Sequence, residues 1–396
     1  MADLSLRLNL DPEQLSSCVS CGLCLPHCPT FRSTGEEAYS PRGRIDAMRG
    51  VELDGAPIDD EFVEFMETCV QCRGCEPACP SNVEFGALME QTRASLATSK
   101  RITPWWQRLG FAALGRHRLL LAGSSALAVA QRLKLVPKRL GLTRLPITRP
   151  PALASTGTGV WLYTGCVMDA WQREVHHSTA QLIGDVGETF AVPEQSGCCG
   201  ALHVHAGLHE QTVKLAEQTM ASMPGDAPIV VNSAGCGAAL KDYGTIVGTP
   251  EAETFARRVV DVSEWLAERV DALPAATGTE RPLVLIQDPC HLRHVQRVHQ
   301  ATRTVLAHVA DLVELDDDGL CCGAGGAYSA LQPELAGTIR DRKMAAIDRA
   351  TDRSGVALMA SANPGCSMHL RAALGDRTLE IRHPVQIVAA ALGLDR

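Results

Sequence analysis

Two short cysteine runs constrain this chain more than any other feature: Cys18-x-x-Cys21-x-x-Cys24-x-x-x-Cys28-Pro29 and Cys69-x-x-Cys72-x-x-Cys75-x-x-x-Cys79-Pro80. Each has the C-x₂-C-x₂-C-x₃-C-P spacing that holds a [4Fe–4S] cube. Three thiolates on one tight loop grip three irons. The fourth cysteine, followed by proline, points away and ligates the neighbouring cube where two such runs occur together. The expected ligand sets are therefore crossed: Cys18, Cys21, Cys24 and Cys79 for one cluster, and Cys69, Cys72, Cys75 and Cys28 for the other. Zinc sites pair two C-x-x-C knuckles rather than this run, and disulfides need an oxidising compartment. Two adjacent clusters imply an electron relay, since a lone structural cluster needs no neighbour.

Composition narrows the setting. At 396 residues the chain has room for two or three domains, and 45% hydrophobic with 21% charged residues is the balance of a soluble globular protein. Aromatics are only 4%, so the core is expected to rest on Ala, Leu, Val and Ile. The opening residues, Met-Ala-Asp-Leu-Ser-Leu-Arg-Leu-Asn-Leu-Asp, contain no long apolar signal segment. A cytoplasmic chain keeps its thiols reduced, which makes the 16 cysteines metal ligands rather than disulfides. The net charge of −8 is unevenly spread: Gln91 to Met168 holds no Asp or Glu but twelve Lys or Arg. Such asymmetry marks a docking surface, here an anionic membrane or an acidic partner, and no nucleic-acid partner is expected.

Four parts follow in order. Residues 1–100 form a mainly helical domain around the two runs, with a helix over Asp59–Glu67 and another, capped by Asn82, that places Phe85, Leu88 and Met89 on one face. Between the runs lies Ser40-Pro41-Arg42-Gly43-Arg44, whose arginines either sit near the clusters and favour their reduced form or decorate a surface turn. Residues 101–158 are a basic amphipathic connector, opened by Trp105-Trp106 and containing an uncharged run, Leu119 to Gln131. That run is shorter than the roughly 20 residues needed to span a bilayer; it suits an interfacial helix, a partner contact, or a helix on its own domain.

Residues 159–275 and 276–396 repeat one another. Cys166, Cys198-Cys199-Gly200 and Cys236 in the first copy return as Cys290, Cys321-Cys322-Gly323 and Cys366, at offsets of 124, 123 and 130 residues. An apolar strand precedes each cysteine position and helices fill the gaps, so each copy reads β-α-β-α-β: an α/β fold of tandem parallel sheets related by a pseudo-two-fold. Cysteines just past strand ends gather at the carboxyl edge, where such sheets bind ligands. Cys166, Cys198, Cys199 and Cys236 form one expected set, and Cys290, Cys321, Cys322 and Cys366 the other, each able to hold a further Fe–S cluster or zinc.

Two ferredoxin-type runs followed by two Cys-Cys-Gly repeats resemble, over essentially the whole chain, the family that includes the glycolate oxidase iron–sulfur subunit. The iron–sulfur subunits of lactate-utilisation systems, anaerobic glycerol-3-phosphate dehydrogenase and heterodisulfide reductase are its relatives. Ser40–Ile45, Ser233-Ala234-Gly235-Cys236-Gly237, Leu320–Tyr328 and Ala362–Cys366 carry the resemblance. It implies an electron-transfer subunit that receives electrons from an FAD-bearing partner oxidising glycolate to glyoxylate and delivers them to a quinone or other membrane acceptor. A peripheral seat on the inner face of the cell membrane goes with that role. The alternative is a lactate or anaerobic glycerol-3-phosphate dehydrogenase complex. In the heterodisulfide-reductase pattern each repeat ends in Cys-x-x-Cys; here Ala239 and His369 stand at the last position, which argues against heterodisulfide chemistry. His369, His203, His205 and His294 lie near the cysteines as ligands or as structural histidines. No strand–GxGxxG–helix segment and no acid/base pair is present, so no catalytic residue for substrate oxidation is assigned.

Overall fold

A computed structural model describes residues 7–136, 144–194, 197–278, 280–317 and 319–394. The chain divides into two compact units. The first comprises Met1–Phe111, Ala201–Thr212 and Leu320–Lys343, and the second the remainder.

The first unit holds both ferredoxin-type runs and is helical. Short helices start where the sequence offers caps and prolines: Pro12–Ser16 after Asp11, Pro41–Glu52 after Ser40, and Asp60–Glu67 after Asp59, each cap side chain accepting an N–H of the first turn. Pro29 opens the helix Pro29–Thr34 directly after Cys28. Pro80 instead sits in a turn, and the next helix, Phe85–Thr98, begins with Glu84 at its cap position and no side-chain cap. Asn82 therefore does not cap it. Asn82 adopts a left-handed backbone (φ 51°), two residues before the cap position. Phe85, Leu88 and Met89 do form the buried face. The core is richer in methionine than the composition implies, with Met48, Met66 and Met89 fully buried beside Leu8, Leu15 and Leu96. Unbranched Met fills the irregular space left by loops that are shaped by cysteines rather than by regular packing.

The second unit contains two parallel sheets. The first is built from β1 (Val160–Tyr163), β2 (Phe190–Ala191), β3 (Ile229–Val231) and β4 (Val259–Asp261) in the order β2-β1-β3-β4. The second has β5 (Leu283–Gln287), β6 (Asp311–Glu314), β7 (Leu358–Ser361) and β8 (Glu380–Arg382) in the order β6-β5-β7-β8. Three strands per repeat match the alternating pattern. β4 and β8 go beyond it: the sequence pattern places a strand before each cysteine position, and neither β4 nor β8 precedes one. Each leads into a capped helix, Val262–Ala267 behind Asp261 and Pro384–Ala391 behind His383, both with a capping box. One core serves both sheets, with Leu162, Val230, Val284 and Ile286 packed around Trp265 and Val388. The loops past β3 and β7 meet, Ala234 N–H donating to Ala362 O (3.1 Å) and Gly235 N–H to Asn363 Oδ1 (3.1 Å). Gln172 Nε2 donates to Ser367 Oγ (3.1 Å). These bonds hold the carboxyl ends of both sheets together. The uncharged Leu119–Gln131 run lies inside the helix His117–Arg132, and no helix among the described residues is long and apolar enough to cross a membrane.

Candidate metal centres

The two ferredoxin-type runs make two recesses in the first unit. Cys18, Cys21, Cys24 and Cys79 line one, with Cys75 at its edge. Cys28, Cys69, Cys72 and Cys75 line the other. The loops wind alike. Ser20 (φ 56°) and Gly22 (φ 82°) in the first run correspond to Gln71 (φ 57°) and Arg73 (φ 56°) in the second. Left-handed residues alternating with cysteines turn successive N–H groups inward, and such nests receive anionic Fe–S clusters. The thiols fit the same group: burial pushes Cys75 and Cys24 up, while Cys72 is pushed up by its hydrogen bond with Cys321 and then by burial. Coordinated iron is the cation that lets such buried thiols exist as thiolates.

Three arginines attend these loops. Arg42 lines the first recess and donates from Nη1 to Ser20 O (3.0 Å). Arg44 lines the second and is buried, donating from Nε to Phe65 O (2.7 Å) and from its two Nη atoms to Thr30 (3.2 Å) and Thr68 (3.3 Å). Thr30 in turn lies 3.1 Å from Cys28 Sγ. The segment between the runs is thus a wall of both recesses rather than a solvated turn. Arg93 is the cation that sequence reading passed over. It is buried and donates to the carbonyls of Met66, Glu67, Cys69 and His205. Its signal was present at helical spacing, one turn after Met89 on the buried face.

The loop Leu320–Tyr328 of the second repeat belongs to this first unit. Cys321 hydrogen-bonds Cys72, Tyr328 Oη donates to Thr68 O (3.1 Å), and a Cβ on Gly325 would lie 3.1 Å from Val70. The Cys-Cys-Gly loop is therefore seated on the second ferredoxin-type run.

In the second unit, Cys166, Cys198, Cys199 and Cys236 follow β1, β2 and β3 and converge at the carboxyl edge, as the strand pattern implies. Cys199 Sγ lies 3.3 Å from Cys236 Sγ, and Cys198 bridges Cys199 and Cys166. Four thiols this close do not ionise independently. Neighbouring thiols, then burial, push Cys166 and Cys199 up; Cys236, receiving the Cys199 bond, is lowered. Two buried tyrosines brace the loops, Tyr163 donating to Gly197 O (2.8 Å) and Tyr243 to Cys199 O (3.0 Å). Cys290 and Cys366 of the second repeat also lie in this unit, Cys290 Sγ 3.6 Å from His291 Nδ1 and Cys366 Sγ 3.5 Å from Asn363 Nδ2. His203, in the first unit, stands 3.1 Å from Phe111 O through Nε2 and packs on the Phe111 ring, a structural role. His205 enters through its carbonyl, which accepts from Arg93 and Gln71. His294 and His369 lie on the helical segments His291–Val295 and Pro364–Arg371.

Comparison with known proteins agrees with this layout. Residues 14–83 match the 4Fe-4S dicluster domain, and residues 160–241 and 284–371 each match the cysteine-rich domain. The probable glycolate oxidase iron-sulfur subunit of Bacillus subtilis is 33% identical, over 91% of this chain and 89% of its own length. The glycolate oxidase iron-sulfur subunit of Escherichia coli is 28% identical over 96% and 94%. One subunit of the dihydromethanophenazine:CoB–CoM heterodisulfide reductase of Methanosarcina mazei is 28% identical over 96% and 95%. With its paired cysteine runs, its two cysteine-rich repeats and this end-to-end similarity, the chain is an iron–sulfur protein that belongs to the family of the glycolate oxidase iron–sulfur subunits.

Proposed function

We propose that this chain is the electron-transfer subunit of a glycolate-oxidising complex. A partner flavoprotein carrying FAD oxidises glycolate to glyoxylate, and this subunit conducts the electrons, one at a time, toward a quinone or other membrane acceptor. The observation that carries the reading is the crossing of the two cysteine runs: Cys79 lines the recess of the first run and Cys28 that of the second, with Cys75 on both. Crossed ligands put two cubes on neighbouring sites, the arrangement of a conductor rather than of a structural staple. We take Cys18, Cys21, Cys24 and Cys79 as one ligand set and Cys28, Cys69, Cys72 and Cys75 as the other. Such clusters supply one-electron redox chemistry. The chain's own part is to exclude water from the inner set, to hold thiolates under inward N–H groups, and to place Arg42, Arg44 and Arg93 where they offset negative charge.

The Cys166–Cys198–Cys199–Cys236 set, whose thiols lie together in the second unit, extends the relay as the site for a further cluster; in the second repeat Cys290 and Cys366 lie in the second unit, whereas Cys321 and Cys322 belong to the first. The identical strand orders support reading the two sheets as pseudo-two-fold mates. With Arg93 buried, the basic connector that follows it supports our reading of a contact with an anionic membrane at the cytoplasmic face. Glycolate added to the anaerobic chain plus its flavoprotein should bleach the clusters and produce the EPR signal of reduced [4Fe–4S] centres. Bleaching by lactate or glycerol-3-phosphate in its place reassigns the substrate, and no bleaching by any of the three ends the reading.

A further inference from the structure

A third recess opens in the first unit beside the second cysteine run, and Cys69 lies in its wall. Its lining is largely apolar, with Phe111, Leu202 and Leu331 among the contributors. Three amides line it: Gln71 is engaged, donating from Nε2 to His205 O (3.0 Å), whereas the Gln107 and Gln332 side chains have no hydrogen-bond partner among the described residues. A concave, mostly apolar site with a few placed polar groups suits a small organic ligand.

The charge pattern selects which kind. Glu67 and Arg93 both border the recess: the carboxyl of Glu67 disfavours an anion, and all three guanidinium nitrogens of Arg93 are already engaged by backbone carbonyls. A carboxylate or phosphate therefore finds no open arginine there. A neutral ring bearing carbonyl oxygens finds two amide donors and an apolar bed.

The approach to the recess points the same way. Gln107 and Phe111 are one turn apart on the helix Trp105–Leu114 and both line the recess. The same helix turns Trp105, Trp106 and Leu109 outward, 72%, 55% and 62% exposed. Tryptophans at the end of an amphipathic helix are suited to the headgroup zone of a bilayer. One helix thus carries an exposed side with two tryptophans and a recess-facing side, with the Cys69 thiol also in the recess wall.

We propose that this recess admits the head group of a lipid-soluble quinone and is where electrons leave the chain. The proposal rests on the electron-transfer reading above and assigns its acceptor a place. Quinone would take up two electrons, arriving one at a time past Cys69, and two protons from water at the mouth of the recess, and leave as quinol; the bound clusters would supply those electrons, losing one in each of two single-electron steps.

The test uses the full chain with its clusters, reduced stoichiometrically and mixed with decylubiquinone or, separately, with the water-soluble oxidant ferricenium. Cluster reoxidation is followed by absorbance. Gln107→Trp and Leu331→Trp each fill the recess from a different wall, so one remains informative if the other fails to retain clusters by EPR. Each is expected to slow quinone reoxidation, relative to its own ferricenium rate, by about tenfold or more, the factor carried by about 1.4 kcal/mol of lost binding. Trp variants that keep their clusters and match the wild type with quinone overturn the site while leaving the relay intact. A wild type that ferricenium oxidises and quinone does not overturns the quinone acceptor and the site together.

Discussion

The two cysteine recesses share one motif and one loop winding, yet their surroundings differ. In the outer one Cys21 is exposed and Cys18, Cys24 and Cys79 are half-buried; in the inner one Cys28, Cys69, Cys72 and Cys75 are all buried. The outer recess has Arg42, which is open to solvent and paired with Glu37, so its field is screened. The inner one has Arg44 and Arg93, both buried and bonded chiefly to backbone carbonyls and hydroxyls. Identical ligands thus meet two electrostatic environments, and burial with hydrogen bonding is what spreads cluster potentials. An exposed set suits receipt of electrons from a docked partner. A buried, cation-flanked set suits passing them on, and it touches the second repeat's Cys-Cys-Gly loop through Cys321.

Removing one thiol from each recess is the sharpest test of that difference. Cys72→Ala and Cys21→Ala should each lower iron from about eight per chain toward about four if two cubes are the full complement. The EPR of the two variants should identify different survivors, and substrate-driven electron transfer should be lost in both. Unimpaired transfer in Cys72→Ala would break the relay, and iron well above eight in the wild type would place clusters in the repeats as well.

Next in size is Arg93→Met. It strips four carbonyls of their donor and removes a buried charge, which should cost about 3–5 kcal/mol in denaturant unfolding. It should also lower the inner cluster's potential by on the order of 60 mV, a tenfold change for a one-electron couple. Arg42→Gln should shift the outer cluster far less, because its charge is screened. Equal shifts would erase the distinction between the recesses.

Acid should separate the two units. Burial lowers His176 to about 4 and His383 to about 3, and both ring Nδ1 atoms accept hydrogen bonds, from Asn232 and from the Val385 N–H. Their folded values lie below the unfolded one, so the stability they contribute is full above about pH 6.5 and is lost as pH falls. Asp261, raised to about 6 by burial, works in the opposite sense: its folded form binds a proton first, so it regains stability between about pH 6 and 4. The histidines outnumber it, leaving a net loss of roughly 2–3 kcal/mol at pH 5 relative to pH 7. Thermal melts read at buried Trp265 should show it, and His383→Asn should flatten the dependence.

The smallest effect concerns the loops themselves. Gly22→Ala puts a Cβ on a left-handed residue, 2.8 Å from Arg42 Nη1, and should cost about 1–2 kcal/mol. Arg73→Gly, at the matching position of the inner loop, relieves the same backbone conformation and loses the Glu76 ion pair (2.9 Å), so its net change should stay within about 1 kcal/mol.

Sequence by itself determined the iron–sulfur character of the chain and the doubled α/β repeat, and its spacings led to the recesses that Cys79 shares with the first run and Cys28 with the second and to the meeting of Cys166, Cys198, Cys199 and Cys236. These rest on local rules: a three-residue spacing sets a loop, a strand end sets an edge, and a repeat in residues is a repeat in elements. Tertiary structure alone decided the rest. β4 and β8 stand before no cysteine that would mark them, and Asn82 takes a left-handed backbone two residues short of the helix cap. Arg93 looked like one more member of a basic stretch until the carbonyls of Met66, Glu67, Cys69 and His205 closed around it. Leu320–Lys343 lies inside the second repeat in sequence, yet it joins the first unit, where Tyr328 and Gly325 pack on the second cysteine run. Contacts between residues far apart in the chain carry no spacing signal, and they are what set the inner recess apart from the outer one.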